Sequence, residues 1–196
     1  MKNVAIFASG SGTNAENIVR YFSKSETIKV AVVLSNNRNV GVHARVNKLG
    51  VPSFVFSREE FADGAPVLAK LAEYDTDLIV LAGFMNKISD PLLNAYPGKI
   101  INIHPALLPS FPGLHGQGQA VAYGVKFSGC TVHFVDEGTD SGPIILQKVV
   151  PVLDDDTEDT LADRILVQEH IALPEALKLW AEGKLQINGR KVKVLA

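Results

Sequence analysis

The sequence predicts an α/β fold, doubly wound, with a mostly parallel sheet and a small C-terminal hairpin. Three observations carry that prediction. Short, nearly continuous Val, Ile and Leu runs recur along the chain, as expected for strands covered on both faces. Each is followed by a glycine, proline or polar break and then usually by a helix-like stretch, the alternation of a doubly wound sheet. With 196 residues, 46% of them hydrophobic, one globular domain spanning residues 1–196 can bury most of its apolar surface.

Taken in order, the strand runs are residues 4–8, 30–34, 53–56, 78–82, 100–103, 131–135 and 144–152. Helical patterning covers about residues 14–23, 42–49, 58–73 and 90–95, a segment around Gln119, and a long stretch over 157–182 that Pro174 should kink or split. Asn188-Gly189 lies between two short alternating runs in 185–194, a strong local hairpin signal. No repeat or low-complexity segment interrupts the pattern.

Charge and cysteine content narrow the function classes. The net charge of −2 arises from 19 basic and 21 acidic residues spread along the chain, so no basic tract argues for nucleic acid or an anionic membrane. A small-molecule partner is the better expectation. The apolar run after Met1-Lys2-Asn3 ends by Gly10, too short for a secretory segment or a membrane span, which points to the cytoplasm. The single cysteine, Cys130, rules out an internal disulfide or a cysteine-cluster metal site and reads as a buried thiol in a strand.

In a doubly wound fold, ligands sit outside the carboxyl ends of the strands. The first strand ends there in Ala8-Ser9-Gly10-Ser11-Gly12-Thr13-Asn14 and opens a helix, so small residues let backbone amides approach an anion. The loop also fits a loose dinucleotide pattern. The second strand, however, ends Leu34-Ser35-Asn36-Asn37, without the acidic residue a ribose would want, and the loop lacks the lysine of a triphosphate-binding loop. A phosphomonoester is the expected ligand, with a plain strand-to-helix turn as the alternative.

The fifth strand reads Ile100-Ile101-Asn102-Ile103-His104-Pro105. Period-two alternation puts Asn102 and His104 on one side of it. Polar groups on a buried strand need partners or a function, because burying an unpaired amide costs a few kcal/mol. The strand after it leads into Asp136-Glu137-Gly138-Thr139-Asp140-Ser141-Gly142, which brings Asp140 within reach of His104. A carboxylate beside an imidazole favours the imidazolium, and Asn102 offers an uncharged donor to a developing oxyanion. That combination suits acyl transfer without a covalent nucleophile, and no Gly-x-Ser-x-Gly elbow supports a hydrolase triad. His43, His133 and His170 read as structural. No histidine pair has metal-ligand spacing, apart from His104 and His115 in one loop region, so no metal is expected.

Four segments together carry a family resemblance: Ser9-Gly10-Ser11-Gly12-Thr13-Asn14, Leu81-Ala82-Gly83-Phe84-Met85, Asn102-Ile103-His104-Pro105-Ala106-Leu107-Leu108-Pro109, and Asp140-Ser141-Gly142-Pro143-Ile144. Over residues 4–185 the chain closely resembles the phosphoribosylglycinamide formyltransferase family of purine synthesis. The resemblance implies a Rossmann-like formyltransferase fold. It also implies a reaction in which the amine of glycinamide ribonucleotide attacks the formyl carbon of the co-substrate 10-formyltetrahydrofolate. On that resemblance Asn102 and His104 stabilise the tetrahedral oxyanion, and Asp140 holds His104 charged and relays a proton through water. Gly12, Thr13 and Asn14 bind the ribonucleotide phosphate, and Glu169 contacts the ribonucleotide. Arg58, Met85, Asn86, Lys87, Ile88 and Asn102, with Asp136, Glu137, Gly138, Thr139 and Asp140, hold the folate, Arg58 meeting its glutamate tail. Apart from the resemblance, Arg58 reads as a surface charge at a helix start and Glu169 as part of a solvated helix face.

Three positions depart from the family pattern. Asn86 precedes Lys87 where an arginine is common, Gln117 stands where a second histidine often follows His115, and Leu166 replaces a polar phosphate contact. The expected partners are these two small molecules, without nucleic acid or membrane, for a monomer or weak homodimer. Two same-fold rivals remain, the catalytic domain of methionyl-tRNA formyltransferase and a formyltetrahydrofolate hydrolase. The first would bring an appended C-terminal domain and a basic tRNA face, the second an N-terminal regulatory domain. A non-catalytic phosphate-binding module would need the Gly10 loop but not Asn102, His104 and Asp140 together.

Overall fold

A computed structural model of the chain describes residues 1–195. It contains two compact units, one from Met1 to Asn102 and one from Ile103 onward.

In the first unit, β1 (Lys2–Phe7), β2 (Ile28–Ser35), β3 (Ser53–Val55), β4 (Leu78–Leu81) and the start of β5 (Ile100–His104) pair in the order β3-β2-β1-β4-β5. Every one of these pairings is parallel. The strands are apolar runs because both faces are covered: Val4 to Phe7, Val32 to Leu34 and Leu78 to Val80 are fully buried. Five helices connect them: α1 (Thr13–Tyr21), α2 (Gly41–Asn47), α3 (Arg58–Asp63), α4 (Ala65–Glu73) and α5 (Asp90–Ala95). Around Phe7 the core is aromatic, with Phe61 and Phe84 each 5.4 Å from it, ring centre to ring centre, and 5.0 Å from one another.

The expected single helix over 58–73 is two. Ser57 starts α3 with a capping box, its hydroxyl accepting from the Glu60 amide while the Glu60 carboxylate accepts from the Ser57 amide. Gly64 then adopts a left-handed φ of 81° and ends the turn, and α4 restarts with a proline in its first positions. The apolar period continues across this break, so the hydrophobic pattern alone does not reveal it.

In the second unit, β6 (Phe127–Phe134), β7 (Ile144–Pro151), β8 (Leu185–Asn188) and β9 (Lys191–Val194) pair in the order β6-β7-β9-β8. Here β6–β7 and β8–β9 are antiparallel and only β7–β9 is parallel, so the parallel character of the sheet belongs chiefly to the first unit. The hairpin forms as expected from its turn chemistry, with Asn188 paired to Lys191 and Gly189 at φ 58° in the loop. Helix α6 (Gly116–Tyr123) packs on α7 (Glu158–Ala181), and α7 lies against β6 and β7. Leu161, Ile165, Ala172, Leu173, Ala176 and Leu177 form the buried stripe of α7. Contrary to expectation, α7 runs unbroken through Pro174, which is itself buried. Packing on both sides of the proline outweighs the cost of about 3 kcal/mol that its missing amide and ring carry in a helix interior.

Phe61→Ala should lower unfolding stability by about 3–5 kcal/mol, since it empties the centre of the aromatic cluster. Urea denaturation measures this; a loss below about 1 kcal/mol would show that the cluster contributes little to the core.

Candidate active site

In the first unit, the strand ends are tied together by one side chain. The Ser9 hydroxyl, just past β1, donates to Asn36 Oδ1 after β2 at 2.6 Å and accepts from the Met85 amide after β4 at 2.9 Å. The Ser9 amide donates to the Gly83 carbonyl at 3.0 Å. The loops at three carboxyl ends of a parallel sheet are thereby fixed in position, where such folds hold ligands. Gly12 caps α1 at φ 79°, and a methyl group there would sit 2.5 Å from the Val42 side chain, so glycine is required both for conformation and for space. Thr13 and Asn14 open α1, with the Asn14 side chain buried.

The first-unit residues expected to hold a folate occupy three places. Arg58 is exposed at the start of α3. Met85 is 64% exposed, Lys87 is exposed and Ile88 is buried, all in the loop after β4. The amide nitrogen of Asn86 is enclosed and has no hydrogen-bond partner. Asn102 lies half-buried at the last position where β5 pairs with β4, opposite Leu81.

In the second unit, the structure brings His104 and Asp140 together. His104 is 4% exposed, and its Nδ1 lies 3.3 Å from Asp140 Oδ2. The opposite ring nitrogen, Nε2, lies 2.8 Å from the Phe111 carbonyl. A carbonyl only accepts, so Nε2 carries the hydrogen and Nδ1 is the edge turned to the carboxylate. Asp140 stands at a left-handed φ of 49°, a conformation disfavoured for most residues but tolerated by Asp. The Gly113 amide donates to its Oδ2 at 2.8 Å. The preceding loop is ordered by Asp136, whose Oδ1 accepts from the Gly138 amide and the Ser141 hydroxyl, leaving Glu137, Gly138 and Thr139 exposed.

His133 was expected to be structural, yet its Nε2 lies 3.6 Å from Asp140 Oδ1 while Nδ1 donates to the Phe134 carbonyl at 2.8 Å. Asp140 is thus flanked by two imidazoles, each oriented by a backbone carbonyl at its far nitrogen. The signal was in the sequence: a histidine inside the otherwise apolar β6 must have a partner. His115 instead meets Glu158 at 3.0 Å on the surface, both residues well exposed. Glu169, read from sequence alone as part of a solvated face, is 8% exposed within the apolar stripe of α7. A charge-bearing side chain in that position needs polar partners, because burying it without them is costly.

Titration follows from burial. Burial pushes the His104 imidazole below its ordinary value; the Asp140 carboxylate and the Phe111 carbonyl oppose that, and His133 adds to it. The resting ring is therefore harder to charge than a free imidazole, not easier as the neighbouring carboxylate alone would make it. Burial raises Asp140, but the facing His133 ring, the hydrogen bond from the Gly113 amide and the facing His104 ring outweigh it and hold the carboxyl below its ordinary range. Burial drives the Cys130 thiol up to about 12, so this cysteine is inert. Among the described residues no group of three or more His, Cys, Asp or Glu gathers as metal ligands, and no helix is long and apolar enough to cross a membrane.

The parallel sheet and the buried His104–Asp140 pair accompany an Asn-x-His-Pro element, and the formyl transferase family profile matches residues 2–177, which puts the chain in a class of group-transfer proteins. The chain belongs to that family. It is 43% identical over 183 residues to the phosphoribosylglycinamide formyltransferase of Bacillus subtilis strain 168, covering 91% of this chain and 94% of that protein. The crystal structure of glycinamide ribonucleotide transformylase 1 from Symbiobacterium toebii superimposes with a TM-score of 0.96 at 44% identity, over 100% of this chain and 95% of that one. It is also 43% identical over 194 residues to the trifunctional purine biosynthetic protein adenosine-3 of Drosophila melanogaster, covering 95% of this chain but 14% of that protein's length. These likenesses bear out the doubly wound, Rossmann-like formyltransferase fold.

The pair makes stability fall in acid. A folded-state imidazole value below about 6.5 means the unfolded chain binds more protons as pH drops through that value, and stability is lost until the folded ring also titrates. Asp140 adds to this at lower pH, its contribution vanishing as pH falls through its depressed folded value. Denaturation at pH 7 and pH 5.5 should show a loss at the lower pH that is smaller in His104→Gln; an identical loss in both proteins would remove His104 as its source.

Proposed function

We propose that this chain transfers the formyl group of its co-substrate 10-formyltetrahydrofolate to the amine of glycinamide ribonucleotide, giving formylglycinamide ribonucleotide and tetrahydrofolate in de novo purine synthesis. The observation that carries this reading is the buried His104–Asp140 pair, 3.3 Å apart, in a chain 43% identical to a phosphoribosylglycinamide formyltransferase along nearly its whole length. We assign Gly12, Thr13 and Asn14 to the ribonucleotide phosphate, where the first amides of α1 favour an anion, and Glu169 to a polar group of the same molecule. Arg58, residues 85–88, Asn102 and residues 136–140 are assigned to the folate, with Arg58 on a carboxylate of its glutamate. The substrates belong to nucleotide synthesis, and the cytoplasm is the compartment we assign.

Chemically, the amine attacks the formyl carbon and the carbonyl oxygen becomes an oxyanion. Asn102 donates an amide hydrogen to it, and the His104 ring stabilises it by its charge once Nδ1, facing Asp140, is protonated. Asp140, kept ionised, draws the proton lost by the amine, directly or through one water, and shares it with His104. The departing folate nitrogen takes a proton as the carbon–nitrogen bond breaks, so the net transfer conserves protons. Two backbone carbonyls, of Phe111 and Phe134, keep both imidazoles turned toward Asp140 throughout.

The test is folate release from 10-formyltetrahydrofolate with and without glycinamide ribonucleotide. Release that depends on the ribonucleotide is expected; release without it would replace this reading with a folate hydrolase. Asp140→Asn should lower turnover by about 10²–10⁴-fold with ribonucleotide affinity nearly unchanged. Asn102→Ala should cost about 10²–10³-fold in kcat, and unchanged turnover in either variant would remove that residue from the chemistry.

A further inference from the structure

The His104–Asp140 pair is held by one stretch of backbone, and that stretch is itself held by side chains the reaction does not otherwise use. Phe111 supplies the carbonyl that orients His104, and Gly113 supplies the amide that orients Asp140. Both sit in the segment that follows β5. This segment is anchored near its start by Thr131 on β6 and Gln147 on β7, which face each other directly across the antiparallel pairing.

The bonds at this anchor are saturated. Thr131 is fully buried, and its hydroxyl donates to the Ala106 carbonyl at 2.7 Å while accepting from the Leu108 amide at 3.0 Å. Gln147 Nε2 then donates twice, to the Leu108 carbonyl at 3.0 Å and to Thr131 Oγ1 at 2.9 Å. The one hydroxyl hydrogen and both lone pairs of Thr131 are used, as are both hydrogens of the Gln147 amide. The amide has only one workable orientation. Turned over, its oxygen would face the Leu108 carbonyl and a hydroxyl whose hydrogen is already committed to Ala106. A glutamine side chain at this position therefore reads out the backbone at 106–108 with both donors, although the residue is exposed to solvent.

We propose that Gln147 is a positioning residue for formyl transfer: through Thr131 and the 106–108 backbone it fixes where Phe111 and Gly113 lie, and so the spacing of His104 and Asp140. It touches neither reacting group itself. An aliphatic replacement leaves Thr131 bonded but frees the Leu108 carbonyl, while a carboxylate places oxygen against oxygen at both contacts. Displacements of about 1 Å in a reacting constellation cost up to about 10²-fold in rate.

This inference rests on the proposed activity, so its test includes a readout that does not. Gln147→Leu and Gln147→Glu are compared with the parent protein in turnover, in KM for glycinamide ribonucleotide and for 10-formyltetrahydrofolate, and in NMR titration of the His104 ring. The expected result is a kcat loss of about 10- to 100-fold, larger for Gln147→Glu, with both KM values within about twofold. A displaced His104 titration in a protein that still unfolds cooperatively should accompany it. Unchanged kcat and an unmoved His104 titration would overturn the proposal, as would a loss that appears in KM alone. Should the parent protein show no ribonucleotide-dependent transfer, the activity assignment fails, and the His104 titration still decides whether Gln147 positions the ring.

Discussion

Removal of water from around His104 and Asp140 is the constraint on which the site's chemistry depends. In solvent a neighbouring carboxylate would simply favour a charged imidazole. Here burial outweighs the carboxylate, and the ring rests below its ordinary value while Asp140 stays ionised. That arrangement needs every other polar edge satisfied, since an unpaired group in such a place costs a few kcal/mol. The surrounding backbone meets the need with the carbonyls of Phe111 and Phe134 and the amide of Gly113.

The first unit solves a different problem with the same economy of means. The tight loop between β1 and α1 needs a backbone conformation that side chains would block, and it needs to be held still. Gly12 provides the conformation, and Val42 fills the space a side chain would have taken. Ser9 provides the stillness, joining the ends of β1, β2 and β4 through three hydrogen bonds made by its own amide and hydroxyl. Neither device depends on net charge, which agrees with a chain carrying nearly equal numbers of acidic and basic residues.

Legibility differed by the range of the interaction. The strands of the first unit were visible because burial on both faces forces unbroken apolar runs, and the hairpin because Asn-Gly has few other uses between short strands. The split between α3 and α4 was hidden, since a left-handed Gly64 stops the backbone without interrupting the apolar period. The continuity of α7 was hidden too, because the local penalty of Pro174 is offset only by neighbours distant in sequence. Asn102 and His104 stand out in the sequence as polar side chains where strand composition demands apolar ones, and Asp140 as an acid in the loop after β6. His133 carries the same signal, and only its distance to Asp140 shows what it faces.

By itself, then, the sequence determined the fold class, the glycine loop and the formyl transferase signature, since each rests on local pattern or residue chemistry. Tertiary structure decided the rest. That burial holds His104 below its ordinary value, that Glu169 is buried, that His133 flanks Asp140, and that Gln147 grips the backbone at Leu108 all depend on which distant segments exclude water or supply partners. Desolvation and hydrogen-bond geometry are properties of a packed environment, and no single stretch of chain contains them.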